Sequence, residues 1–213
     1  MHIRCASHTL SLIATTDVKK VGNRYKHLQN KPFGKATALW NASQRPKASE
    51  VIFKELGCSL KIPVVTRWNS LFDALSLLLK HRNNLNSCMT KLKLPVMTEI
   101  DFRIIEEYIL ILSPIATGLD YLQRENDSMY GNFLPTLIAI EQKLKSINKT
   151  ELVHSQPLLE AVSKGFVNRF RDYLELHETK AVEFALVAAV TNPKYKLMWL
   201  KMKESLNNET VYY

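Results

Sequence analysis

The chain has 213 residues, 46% of them hydrophobic, enough apolar material for a substantial core and one or two domains. It contains no apolar run of about 18 residues, which excludes a membrane-spanning helix, and Met1 to Cys5 lack the apolar stretch and cleavage site of a secretory signal. The net charge of +9 is lopsided: residues 1–93 hold 16 Lys and Arg against 4 Asp and Glu, whereas residues 94–213 hold 13 against 16. A half so rich in cations points towards a polyanionic partner; a solvated, lysine-rich face is the plainer alternative.

Helical periodicity dominates the chain. His8 to Lys20 reads as a helix with Leu10, Ile13, Ala14 and Val18 on one face. The basic stretch from Lys19 to His27 reads as a loop or frayed segment. Phe33 to Leu56 is helical again, interrupted at Ser43 to Pro46, with Gly57 as its C-terminal cap. Leu60 to Val65 is β-branched and carries Pro63, so an extended linker is expected. Thr66 suits the N-cap of a helix striped by Leu71, Leu75, Leu78 and Leu79, which Leu94-Pro95 breaks.

Thr98 and Asp101 imitate a capping box for a long helix through Leu122, where Pro114 predicts a kink. Arg124 to Ser128 reads as a loop. Pro135 sits in the first turn of a helix running to about Ile147. Ser155 and Pro157 open another, with Phe166, Phe170 and Tyr173 as an aromatic stripe. Ala181 to Val190 is apolar all round and expected to be buried, and Asn192-Pro193 stops it. Lys201 onward reads as a frayed end. Eight or so helices with short connectors describe an all-α fold.

The three cysteines, Cys5, Cys58 and Cys88, are odd in number and far apart, which suits free thiols. Cys5 and His8 have the spacing of half a zinc site, but no second pair completes one. The structural alternative makes Cys5 a small buried hydrophobe and His8 a backbone-bonded residue at a helix start. Arg67 and Trp68 read either as packing beside an N-cap or as a phosphate contact and a base-stacking platform. Asp17, Asp73, Glu204 and Glu209 read as solvated surface. The sequence has no G-x-S-x-G, no phosphate-cradling glycine loop and no H-E-x-x-H.

Cys5-Ala6-Ser7-His8-Thr9-Leu10-Ser11-Leu12-Ile13, followed by Thr66-Arg67-Trp68-Asn69-Ser70, resembles the hAT-superfamily DNA transposases, in particular transposase-derived proteins of the BED-zinc-finger-associated type. Phe33-Gly34-Lys35-Ala36, Leu134-Pro135-Thr136-Leu137 and Thr191-Asn192-Pro193-Lys194-Tyr195-Lys196-Leu197 extend the resemblance over nearly the whole chain. It implies the multi-helix insertion domain of an RNase H-like transposase. Residues 1–20 would be a short edge of the RNase H-like core, 21–200 the insertion domain and 201–213 a frayed tail.

In that family two catalytic acids precede the Cys-x-x-His motif and a third follows the insertion, together holding two divalent metals. No residue here matches them, so the resemblance implies a chain without catalytic residues, metal or cofactor. Its expected partner is DNA, in the nucleus and not at a membrane, and any self-association belongs to a longer parent because the dimerisation segment is not matched. The expected nucleic-acid contacts are Arg67, Trp68 and His8, with Lys19, Lys20, Arg24, Lys26, Lys31, Lys35, Arg45 and Lys47 on phosphates. Cys5 and His8 would support the geometry beside the catalytic centre. The alternatives are a helical protein-interaction module, a non-functional transposon remnant, or an active transposase using other acids.

Overall fold

The computed structural model describes residues 5–64, 68–123 and 130–209, and among them every regular element is helical. Ten α-helices follow one another: α1 (Ala6–Thr15), α2 (Asn23–Ser43), α3 (Pro46–Leu56), α4 (Trp68–Lys80), α5 (Arg82–Lys91), α6 (Glu99–Leu122), α7 (Phe133–Lys145), α8 (Gln156–Leu174), α9 (Lys180–Thr191) and α10 (Met198–Glu209). No helix is long and apolar enough to cross a membrane among the described residues. The chain divides into two compact units. Unit 1 comprises residues 1–20, 113–151 and 159–213, and unit 2 comprises 21–112 and 152–158.

Unit 1 is organised by a buried acid and an asparagine. Asp17 sits in a 3₁₀ turn after α1, only 1% exposed. Its carboxylate accepts from Arg169 Nε on α8 at 2.5 Å and from Lys20 Nζ at 2.6 Å. Gly165 makes this possible, because a Cβ there would lie 2.7 Å from Asp17 Cβ. Burial raises the Asp17 pKa, but the bonds to Arg169 and Lys20 outweigh it and hold the carboxyl below its usual range. The expectation that this acid is solvated surface is therefore wrong, since a long-range partner makes its burial tolerable. Asn192, which ends α9, donates to Asn132 Oδ1 at 3.0 Å and accepts from the Lys194 amide at 3.0 Å. A Cβ on Gly131 would lie 2.5 Å from the Ala188 carbonyl oxygen, so the turn before α7 lies directly on α9.

Unit 2 is organised around Glu107, 2% exposed on α6. Its two oxygens accept from the backbone N–H groups of Val153 (2.8 Å), His154 (3.0 Å) and Ser155 (2.8 Å). Arg103 Nε adds a fourth bond at 3.0 Å. Burial raises the Glu107 pKa, and these donors reverse that and leave it lowered. The buried Tyr25 hydroxyl of α2 donates to Ser155 Oγ at 3.2 Å, and burial drives its own pKa up. The capping box forms as expected: Thr98 N–H donates to Asp101 at 2.8 Å and Asp101 N–H returns to Thr98 Oγ1 at 3.2 Å. Gly57 caps α3 with φ +70°.

Several elements differ from expectation. Arg24 to His27 are not loop but the first turns of α2, because Tyr25 is drawn into the core and orders the backbone around it. The α4 stripe breaks at His81, well before Leu94-Pro95. α6 continues through Pro114, next to the division between the units. α9 buries Val182, Ala185 and Ala189 but exposes Phe184, Val187 and Val190, so it has a bare apolar face. Of the expected frayed tail, Lys201 to Glu209 is helical, part of α10, which Trp199 anchors at 1% exposure, and the rest lies outside the described residues. The Phe166–Phe170–Tyr173 stripe is packed inward, with Phe133 ring centroids 6.2 Å from Phe170 and 4.9 Å from Tyr173. Thr66 and the Arg124 to Ser128 loop lie outside the described residues.

Candidate nucleic-acid interface

Within unit 2 the start of α3 and the end of α5 border an open groove of about 650 Å³. Arg45 is the N-cap residue of α3, Pro46 holds the N1 position and Lys47 and Ala48 follow. Pro46 suits that place because its fixed φ matches the helix and its missing N–H is one that no carbonyl would have used. No side chain caps this end and no acid lies in the first turn, so its partial positive charge is unopposed locally.

The opposite lip ends in a Schellman motif: Leu94 N–H donates to the Met89 carbonyl at 2.9 Å and Lys93 N–H to that of Thr90 at 3.0 Å. This places Lys93 at φ +56°, a conformation that usually belongs to glycine and costs a side-chain-bearing residue about 1 kcal/mol. The strained residue is thus a lysine on the lip of a groove.

Four cations line the groove: Arg45, Lys47, Lys91 and Lys93. Lys91 is held by Glu55 at 2.5 Å. The other three have no carboxylate partner among the described residues, and all three are exposed. The floor is apolar, with Ala42, Val51, Leu92 and Leu94. Such a surface can hold a phosphodiester backbone on its rim and accommodate sugar or base faces below.

The expected contacts divide. Arg45 and Lys47 meet here. Arg24, Lys31 and Lys35 follow helical spacing along one flank of α2, with Lys26 on another. Lys35 is tied to Asp101 at 2.6 Å and Lys20 to Asp17, both buried acids, which leaves neither ammonium unpaired. Lys19 is exposed. Cys5 and His8 are also exposed, on and just before α1, so the expectation of a buried Cys5 fails. The Cys5 side chain makes no cap, and its carbonyl instead accepts from Thr9 Oγ1 and Thr9 N–H, each at 3.0 Å. Arg67 lies outside the described residues, as does the Trp68 side chain, although Trp68 opens α4.

Sequence reasoning missed Lys91 and Lys93. The run Lys91-Leu92-Lys93-Leu94-Pro95 reads as a helix end and gives no sign that α3 would lie beside it. It also left Cys58 and His81 apart, whereas Sγ and Nε2 are 3.4 Å from each other. Among the described residues no three His, Cys, Asp or Glu side chains gather as a metal cluster would need. Compared with protein-family models, curated proteins and solved structures, the chain matches none.

Proposed function

We propose that this chain is a DNA-binding or scaffolding fragment derived from a hAT-type transposase, acting in the nucleus without strand-transfer activity. The observation that carries the reading is the α3–α5 groove, where Arg45, Lys47 and Lys93 are left without carboxylate partners on an apolar floor. Phosphates seated there would displace counterions, so affinity should fall steeply with salt. A salt titration against hairpin-ended and plain duplex DNA tests this. Wild type should bind both at low salt. Lys47→Ala should weaken binding and flatten the log–log salt slope by about 0.9, one phosphate contact. Absence of binding at low salt overturns the reading. In the same scheme Arg67 and Trp68 serve a distorted end, and Trp68→Ala should remove any preference for the hairpin.

A second reading, a helical protein-interaction module, is favoured by one observation: Phe184, Val187 and Val190 stand 54%, 56% and 42% exposed in a row on α9. Concentration-dependent elution in gel filtration, abolished by Val187→Glu, would support it as self-association.

A further inference from the structure

Unit 1 holds a second concavity that nucleic-acid binding does not use. It has a volume of about 320 Å³, at the small end for ligand sites, and is lined by α6, α7 and the start of α10. The walls are mainly apolar, with Ala139, Ile140, Met198 and Trp199. Loose packing does not explain the space. Beside it α6 and α7 touch so closely that a Cβ on Gly118 would lie 2.4 Å from Ile140 Cδ1.

The rim is polar and cationic. Tyr121 and Tyr195 both line the cavity, and their hydroxyls lie 2.6 Å apart. Lys194 Nζ donates to the Tyr121 hydroxyl at 2.8 Å and lies 5.0 Å and 5.4 Å from the Tyr121 and Tyr195 ring centroids. The bond to Tyr121 and the nearby Tyr195 raise the Lys194 pKa, which keeps the amine charged. Lys143 also reaches the cavity. Neither lysine has a carboxylate partner among the described residues. An apolar pocket with an unneutralised ammonium at its mouth is complementary to a molecule with one apolar end and one negative end.

We propose that this cavity binds a small amphipathic monoanion, a medium-chain aliphatic carboxylate, with its chain against Ala139, Ile140 and Met198 and its carboxylate at Lys194 and the Tyr121–Tyr195 hydroxyls. The proposal is independent of the DNA reading, because the groove belongs to unit 2 and the cavity to unit 1.

Calorimetric titration of the full chain with decanoate below its micelle concentration tests it, with decylammonium and 1-decanol as matched controls. Decanoate should saturate a single site, and decylammonium should bind at least tenfold more weakly. Lys194→Met should weaken decanoate about tenfold and leave decanol unchanged. Ala139→Phe should fill the cavity and abolish both, with Thr117→Phe giving the same result from the exposed side of the wall should the first variant not fold. Lys47→Ala should leave decanoate binding intact. Equal affinity for decanoate and decylammonium, or undiminished binding after the cavity is filled, overturns the proposal, as does the absence of a saturable heat.

Discussion

Asp17 in unit 1 and Glu107 in unit 2 are the most deeply buried carboxylates, beside the lysine-paired Asp101 of unit 2, and the two are balanced by different donors. Asp17 in unit 1 relies on side chains, a guanidinium and an ammonium brought to it by α8 and by its own turn. Glu107 in unit 2 relies mainly on three consecutive backbone N–H groups before α8, with Arg103 touching it from a flank. Both arrangements meet the desolvation cost of a buried charge, one with side-chain cations and the other mainly with backbone dipoles. At Glu107 the backbone donors carry most of the balance, and the one cation engaged is Arg103. Although Lys35 is tied to Asp101, unit 2 keeps Arg45, Lys47 and Lys93 without carboxylate partners, and these define the groove.

The largest expected effect tests the side-chain arrangement. Arg169→Met leaves Asp17 buried without its strongest partner and should cost about 3 kcal/mol, seen as a lower urea midpoint by circular dichroism. Lys20→Met should cost far less, because that side chain is 67% exposed. If the two variants lose equal stability, Arg169 is not the dominant partner.

Next comes the backbone cradle. Glu107→Gln places an amide N–H₂ against backbone N–H donors and should cost about 2 kcal/mol. Acid sharpens the comparison. Both carboxyls titrate below their ordinary values near 4, so the unfolded chain takes up protons first as pH falls. Their contribution is complete above the unfolded value and is lost as pH drops through the lower folded values. The urea midpoint of wild type should therefore fall between about pH 5 and pH 3, and less so in either variant.

A smaller effect of opposite sign belongs to the groove. Lys93→Gly relieves the left-handed backbone and should raise stability by up to about 1 kcal/mol while weakening DNA binding. Stability and affinity moving together would break the link between strain and function. The smallest effect is that of Tyr25→Phe, which removes the bond to Ser155 and should cost about 1 kcal/mol or less in the same urea assay.

Much of the helical skeleton was legible because it depends on neighbours in sequence. The Thr98–Asp101 box and Gly57 after α3 follow from residues three or four apart satisfying the same backbone groups, and the stop at Asn192 follows from the extended backbone that Pro193 imposes on the residue before it. Of the expected stripe Leu10, Ile13, Ala14 and Val18, the first three are buried on α1, and Val18 is half-buried in the turn after it. Periodicity failed where a distant contact outweighed it. Tyr25 turned an expected loop into helix, Trp199 ordered an expected tail, and α9 left half of its apolar surface bare.

The sequence by itself determined an all-α chain with its positive charge concentrated in the first half, since helix signals and charge counts are local or additive. Which cations are unpaired was decided only by the tertiary structure. Lys35 meets Asp101 through the fold, Arg45 and Lys47 are joined by Lys91 and Lys93 across a groove, and Asp17 becomes a core residue through Arg169, 152 positions away. Pairing depends on distances between helices, and a linear pattern does not carry those distances.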